Sequence, residues 1–340
     1  MILEGTILRG RAFDPVRGRV VVEDGKIVAV EEADVRGDDI VLPAFVNAHT
    51  HLGDSIAKEA GGDLSLEELV APPDGLKHRL LRAASREELL DGMVRSLRLM
   101  QNTGTGACIE FREGGVDGVD LFEEAIECVD IEPVVLGRES VQAMERSDGF
   151  GASGANDGDF SRERNATARA EKLFGIHAGE VDSGDINPAM DLDPDFLVHM
   201  VHATDLHLER LADSEIPVAV CPRSNIVTDV GMPPIRDLLD RTTVALGTDN
   251  VMTNSPSMFR EMEFTAKLFD VTATEVLRMA TVNGADIAGL NCGLVAEGRD
   301  ARLLVLDGDS DNLAGAEDIV RAVVRRAGAS DVKDVVSPER

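Results

Sequence analysis

Asn47-Ala48-His49-Thr50-His51-Leu52, reached through the apolar run Ile40 to Val46, is the stretch that decides the fold. Val41-Leu42-Pro43-Ala44-Phe45-Val46 reads as a turn and then a buried strand, so the histidines fall at a strand's C-terminal end. Strand side chains alternate between faces, and residues i and i+2 share one. His49 and His51 therefore point the same way and can grip one metal ion.

Downstream, short apolar runs alternate with stretches of helical spacing. Gly106 to Phe111, Pro133 to Leu136, Gly149 to Ala152, Leu173 to His177, Phe196 to His199, Pro217 to Cys221 and Thr243 to Gly247 read as strands, eight with the first. Arg86 to Asn102, Asp117 to Val129, Ser161 to Lys172 and Asp205 to Ser214 carry apolar residues at helical intervals. Such alternation gives a parallel sheet, and eight units close into a (β/α)8 TIM barrel of the α/β class. Gly149 to Ala152 is the least strand-like of the eight.

The ends read differently. Thr6 to Arg9, Arg19 to Val22 and Lys26 to Val30 are β-rich, and Asp24-Gly25 between the last two is a hairpin signal. Ala301 to Leu306 is another strand, introduced by Gly298. Neither end is long enough to stand alone. Residues 1–43 and 293–340 are therefore expected to build one small β-sandwich domain, with 44–292 as the barrel. Glu59 to Gly75 is expected to form a loop or lid.

The active site of such a barrel lies at the C-terminal mouth. The polar residues of this chain gather there. His49 and His51 end the first barrel strand, His177-Ala178-Gly179-Glu180 the fifth, His199 the sixth with His202 three residues on, and Asp249 the eighth. Three histidines plus a carboxylate suit Zn²⁺, or Fe²⁺ as the alternative, and leave room for a water. His78 and His207 sit in polar, helical contexts and read as ordinary surface residues.

The same stretches, with Cys221-Pro222-Arg223-Ser224-Asn225 and Gly247-Thr248-Asp249-Asn250, resemble the amidohydrolase superfamily over essentially the whole chain. The similarity points to the branch holding cytosine, guanine, adenosine and S-adenosylhomocysteine deaminases and the triazine chlorohydrolases. That resemblance implies His49, His51, His177 and Asp249 as metal ligands, Asp249 also taking a proton from the attacking water. It implies Glu180 as the proton shuttle to a ring nitrogen and His199 as the group that orients the water and stabilises the developing oxygen, with His202 as the competitor for that role. Binuclear members carry a lysine at the fourth strand; Asp148 to Gly158 has none, so one metal is expected.

Composition narrows the partners. The 340 residues hold 34 Lys+Arg against 63 Asp+Glu, a net charge of −29, which repels nucleic acid and anionic lipid. The acids are dispersed (Asp38-Asp39, Glu67-Glu68, Glu87-Glu88, Glu123-Glu124), as on proteins of a high-salt, halophilic cytoplasm where salt screens self-repulsion. No apolar run approaches a membrane span and no leader is evident, so a cytoplasmic location is the expectation. Cys108, Cys128, Cys221 and Cys292 lack C-x-x-C spacing and read as buried free thiols. A homodimer is the default oligomer.

The expected activity is a mononuclear metal-dependent aminohydrolase that replaces an exocyclic amino group on a nucleobase, nucleoside or pterin with oxygen. Arg112, Arg138, His202, Arg223 and Asn225 are candidates for binding the small-molecule substrate, arginine being suited to carboxylate or phosphate. Two rivals keep the site: hydrolysis of an amide or carbon–halogen bond, and a catalytically silent metal-binding scaffold. Glu180 opposes the last, because structural zinc sites close with protein ligands alone.

Overall fold

The computed structural model describes residues 1–62, 64–70 and 74–338. Alternation at the N-terminus folds as read: β1 (Ile2–Arg9), β2 (Asp14–Glu23) and β3 (Lys26–Glu32) form an antiparallel meander, β2 and β3 meeting at Asp24-Gly25. β4 (Ile40–Pro43) lies parallel to β1. One residue later the chain enters the barrel with β5 (Phe45–His51), followed by a 3-10 turn over Leu52–Ala57.

The expected lid is partly helical, with α1 (Leu66–Val70) preceding α2 (Leu76–Ala83); Asp63, Ala71, Pro72 and Pro73 of that segment lie outside the described residues. α3 (Arg86–Asn102) starts where Ser85 and Glu88 form a reciprocal capping box, Glu88 N–H donating to Ser85 Oγ at 3.2 Å. Then follow β6 (Thr105–Arg112), α4 (Gly115–Ile126), β7 (Glu132–Gly137), α5 (Val141–Arg146) and β8 (Gly149–Gly154). α6 (Ser161–Ala170), β9 (Leu173–Ala178), α7 (Ile186–Asp191), β10 (Phe196–His199) and α8 (Asp205–Ser214) continue the alternation. β11 (Val218–Val220), α9 (Pro222–Val227), α10 (Ile235–Leu239), β12 (Val244–Leu246) and β13 (Asp249–Asn250) complete the ring of strands.

β12 and β13 are two halves of the eighth strand, broken at Gly247-Thr248. β12 pairs with β11, while β13 pairs with β5, and this hand-over closes the parallel barrel. At the break Gly247 lies against His49: a Cβ there would come within 2.6 Å of the His49 Cβ, so only glycine fits. Asn47 stitches the seam, its amide donating to Thr248 Oγ1 at 2.7 Å and its carbonyl accepting Thr248 N–H at 3.0 Å.

α11 (Met258–Leu268), α12 (Ala273–Met279) and α13 (Val282–Ala288) follow the barrel strands. β14 (Leu303–Leu306), α14 (Ile319–Arg325) and β15 (Val332–Val336) end the chain. The end domain expected as a β-sandwich has all six strands in one hydrogen-bonded sheet, in the order β15-β14-β4-β1-β2-β3. One apolar core joins it to the barrel, since Leu8, Ile40, Leu42, Leu304 and Leu306 belong to the cluster of Met262, Leu277 and Val323. α14, within the segment assigned to the small domain, packs on α11 and α12. No helix of the described residues is long and apolar enough to cross a membrane.

Inside the barrel Phe111 and Phe196 fill the axis, both fully buried with centroids 5.9 Å apart. Glycine makes room for them: a Cβ on Gly151 would lie 2.5 Å from the Phe111 ring, and one on Gly175 2.5 Å from Phe196. The floor beneath the mouth is thus solid hydrocarbon.

Candidate active site

Four strand ends converge above that floor. The His49 ring stands edge-on to Phe111 at 4.5 Å and lies 4.9 Å from both His51 and His177. His199 follows, its ring 5.3 Å from His177. Asp249 Oδ1 is 3.4 Å from His49 Nε2 and 3.7 Å from His51 Nε2. His49, His51, His199 and Asp249 are each at most 3% exposed.

Every ring but that of His49 is aimed by a bond made from behind. His51 Nδ1 donates to Glu113 Oε1 at 2.7 Å, and His177 Nδ1 donates to the Ala152 carbonyl at 2.8 Å. Those bonds leave both Nε2 atoms unprotonated, and they face each other at 3.5 Å. Among the described residues His49 has no hydrogen-bond partner on either nitrogen. Buried, orphaned imidazole nitrogens converging with a carboxylate fit a divalent cation, which needs neutral imidazole and ionised carboxylate. The ligand atoms of His49, His51 and Asp249 lie within 4.8 Å of one another, as do those of His49, His177 and His199 and those of Glu180, His199 and Asp249.

Burial sets the protonation states in the required direction. It lowers His49, lowers His177 well below its ordinary value with neighbouring histidines adding, and takes His51 to about 3 with Lys77 assisting. Burial alone would raise the Asp249 carboxyl, but the close approach of the His49, His199 and His51 rings holds it well below its ordinary range. Asp249 accepts Ser224 Oγ–H at 2.6 Å on Oδ2 and Asn250 Nδ2–H at 2.9 Å on Oδ1. Burial raises Glu180, whose Oε2 lies 3.5 Å from His199 Nε2. On the far side of that ring Asn225 Nδ2 donates to Nδ1 at 3.1 Å.

Two of these residues hold left-handed backbone, His199 at φ 78° and Asp249 at φ 58°. Neither is glycine, so each conformation costs about 1–3 kcal/mol and persists only because the surroundings enforce it.

The remaining sequence candidates divide. Arg138 lines a cavity of about 1060 Å³ beside the cluster, with Glu113, Phe150 and Phe160 in the same wall. Arg112 also lines it, but its Nε donates to the Glu113 carbonyl at 2.9 Å and its Nη1 lies 3.5 Å from Glu110 Oε1. Arg223 is taken up by Glu261 at 2.6 Å and the Ser255 carbonyl at 2.7 Å. Asn225 reaches His199 rather than open space. His202 is half-buried, and its backbone N–H donates to Gly179 O at 2.9 Å.

Three other expectations change. His207 is buried, not superficial; its Nδ1 accepts Thr204 N–H at 3.2 Å and caps α8. His78 is half-buried, donates from Nε2 to Val70 O at 3.1 Å and lines the cavity. Cys128 is exposed, while Cys108, Cys221 and Cys292 are buried. Lys77 and Ser224 escaped sequence reasoning. Ser224 stood inside a motif already quoted, whereas Lys77 carried no local signal.

The amidohydrolase family profile matches residues 40–192 and 165–337. The chain belongs to the amidohydrolase family. This amidohydrolase is 35% identical to an uncharacterised protein of Methanocaldococcus jannaschii, over 98% of this chain and 97% of that one. It is 28% identical to the 5-methylthioadenosine/S-adenosylhomocysteine deaminase of Haloarcula marismortui, over 92% of this chain and 85% of the relative. In fold it matches a zinc-bound adenosine deaminase of Xanthomonas campestris, with TM-score 0.85 and 20% identity over 99% of this chain and 91% of that one. With its histidine–aspartate cluster, this amidohydrolase is a metal-dependent hydrolase acting on carbon–nitrogen bonds other than peptide bonds.

Proposed function

We propose that this chain deaminates an adenosine-like nucleoside at a single divalent metal, Zn²⁺ before Fe²⁺, held by His49, His51, His177 and Asp249. The observation that carries the reading is the placement of Glu180, an acid with a raised pKa beside His199 and at the edge of the ligand cluster. A purely structural metal site has no use for it.

When bound, the metal supplies Lewis acidity, which brings a water's pKa from ~15.7 towards ~7. The chain's own groups do the rest. Asp249, oriented by Ser224 and Asn250, accepts a proton from the attacking water. Glu180 delivers a proton to the ring nitrogen next to the carbon under attack, and His199 Nε2 offers a donor to the oxygen forming there. The carbon becomes tetrahedral, a proton passes to the amino group, ammonia leaves and a carbonyl remains. Lys172 takes no part, since its ammonium binds carbonyls of Met144 and Glu145 at 3.1 and 2.8 Å beyond the α5 end.

The cavity walled by Glu113 and Arg138 has room for the ribose of a nucleoside, although none of the proposed metal ligands lines it. At about 1060 Å³ it slightly exceeds the range of roughly 300–1,000 Å³ that holds drug-sized ligands. The relative from Haloarcula marismortui, named for adenosine derivatives, supports the same class.

The test is ammonia release, measured on adenosine, 5′-deoxyadenosine, methylthioadenosine and S-adenosylhomocysteine with zinc-loaded protein in molar salt. Turnover of one of them together with the matching inosine-type nucleoside supports the reading. Carboxylate or halide release from amides or chlorotriazines, with none of the nucleosides consumed, overturns it.

A further inference from the structure

Lys77 is 3% exposed, yet lysine is seldom buried without a reason. It projects from α2 between two side chains that each hold a member of the candidate metal site. On one side its ammonium lies 2.7 Å from Glu113 Oε1, the oxygen that accepts His51 Nδ1–H at 2.7 Å. On the other it donates to Asn250 Oδ1 at 2.9 Å, and the amide nitrogen of Asn250 donates to Asp249 Oδ1 at 2.9 Å. One cation thus joins β5, the end of β6 and β13 across the barrel's closing seam.

Both contacts fix a choice that would otherwise be free. Glu113 Oε1 takes both the Lys77 ammonium and the His51 Nδ1–H, so Lys77 fixes where that oxygen stands and with it which nitrogen of His51 carries the proton. Asn250 could present either end of its amide to Asp249, and Lys77 claims the oxygen, which turns the nitrogen towards the carboxylate. Arg138 also reaches Glu113, at 3.3 Å, but it touches only that arm of the network.

We infer that Lys77 is a positioning residue for the metal site, setting the tautomer of His51 and the orientation of Asp249 through Glu113 and Asn250. This rests on the metal-site reading above, though not on the identity of the substrate. Outer partners of metal ligands orient the ligands, and their loss typically weakens metal affinity about 10–100-fold.

The experiment is a double-mutant cycle on Zn²⁺ affinity, read by competition with a chromophoric chelator in the full chain. Its members are the parent, Lys77→Met, Glu113→Gln and the double variant, each metal-free protein also checked by thermal melting. Each single change is expected to weaken binding about 10–100-fold, and the double to be no weaker than the worse single, because one chain of contacts is broken twice. If Lys77→Met does not fold, Lys77→Gln replaces it, keeping a donor for Glu113 without the charge. Zn²⁺ affinity unchanged on replacing Lys77, with or without a lower melting temperature, overturns the inference, as do additive losses. A parent that binds no Zn²⁺ overturns the metal-site reading itself, so the two failures are told apart.

Discussion

His51 Nε2 and His177 Nε2 face each other across 3.5 Å, each ring anchored from behind through Nδ1. Two lone pairs opposed in a dry site repel until a cation stands between them. Chelation should therefore destabilise the protein markedly. A metal present at a thousand times its Kd contributes about 4.1 kcal/mol, on the order of 10 °C in melting temperature. His177→Ala should abolish the difference between zinc-loaded and chelated samples in calorimetry. Coincident melting of the two parent samples would remove the basis for a metal site.

With Glu180 as the proton donor proposed above, its replacement should separate catalysis from metal binding. Its carboxyl reaches His199 and Asp249 but is not needed to complete the three-histidine, one-aspartate set. Glu180→Gln should keep Zn²⁺ at parent stoichiometry by elemental analysis while ammonia release falls about 10²–10⁴-fold, the share that a positioned proton donor contributes. Unimpaired turnover would strip Glu180 of its proton role.

The sequence made the convergence of the histidines and Asp249 legible because strand-end placement follows from periodicity alone. His49, His51, His177 and Asp249 needed only the alternation of apolar runs to be brought to one mouth. β8 was faint for a physical reason: Gly151 must be bare to admit Phe111, a residue forty positions earlier, so the strand lost its β-formers to packing it cannot announce. Distance along the chain also hid what the polar residues do. Arg223 reads as a substrate clamp until Glu261 is placed beside it, and Lys77 meets Asn250 across 173 positions. His207 looked superficial because a capping role depends on where Thr204 starts a helix.

His199 and His202 are now distinguishable by position. His199 is fully enclosed among the other rings, with Asn225 fixing Nδ1. His202 is half-buried, and among the described residues it is bonded through its backbone. Loss of a donor to a developing oxygen costs about 10²–10³ in kcat, so His199→Asn should show that deficit and His202→Asn should not. The reverse order in steady-state rates would exchange their roles.

Asn47 should matter for stability rather than chemistry. Its two bonds to Thr248 close the barrel at the seam, and both are buried. Asn47→Ala leaves the Thr248 hydroxyl without that partner and should cost about 1–3 kcal/mol. Urea unfolding in molar salt would report it as a lower midpoint with an unchanged slope. An unchanged midpoint would mean that the seam is held elsewhere.

Asp54 sits in the turn after His51, with Oδ1 accepting Met252 N–H at 3.0 Å and Oδ2 buried without a partner among the described residues. Burial raises its pKa well above the ordinary 3.8, against the pull of Lys77. In the unfolded chain the carboxyl ionises at its ordinary value, while the native state still holds the proton. Native protein then binds more protons, so stability falls as pH rises above about 4 and levels off once pH passes the folded pKa. Asn cannot titrate and retains the acceptor for Met252. Asp54→Asn should match the parent near pH 4 and gain on it with rising pH, by up to about 1.4 kcal/mol per unit. Urea midpoints of both proteins at several pH values, in constant molar salt, supply the comparison. Parallel curves for the two proteins would show that Asp54 is ionised in the fold, and that the neighbouring ammonium of Lys77 outweighs its burial.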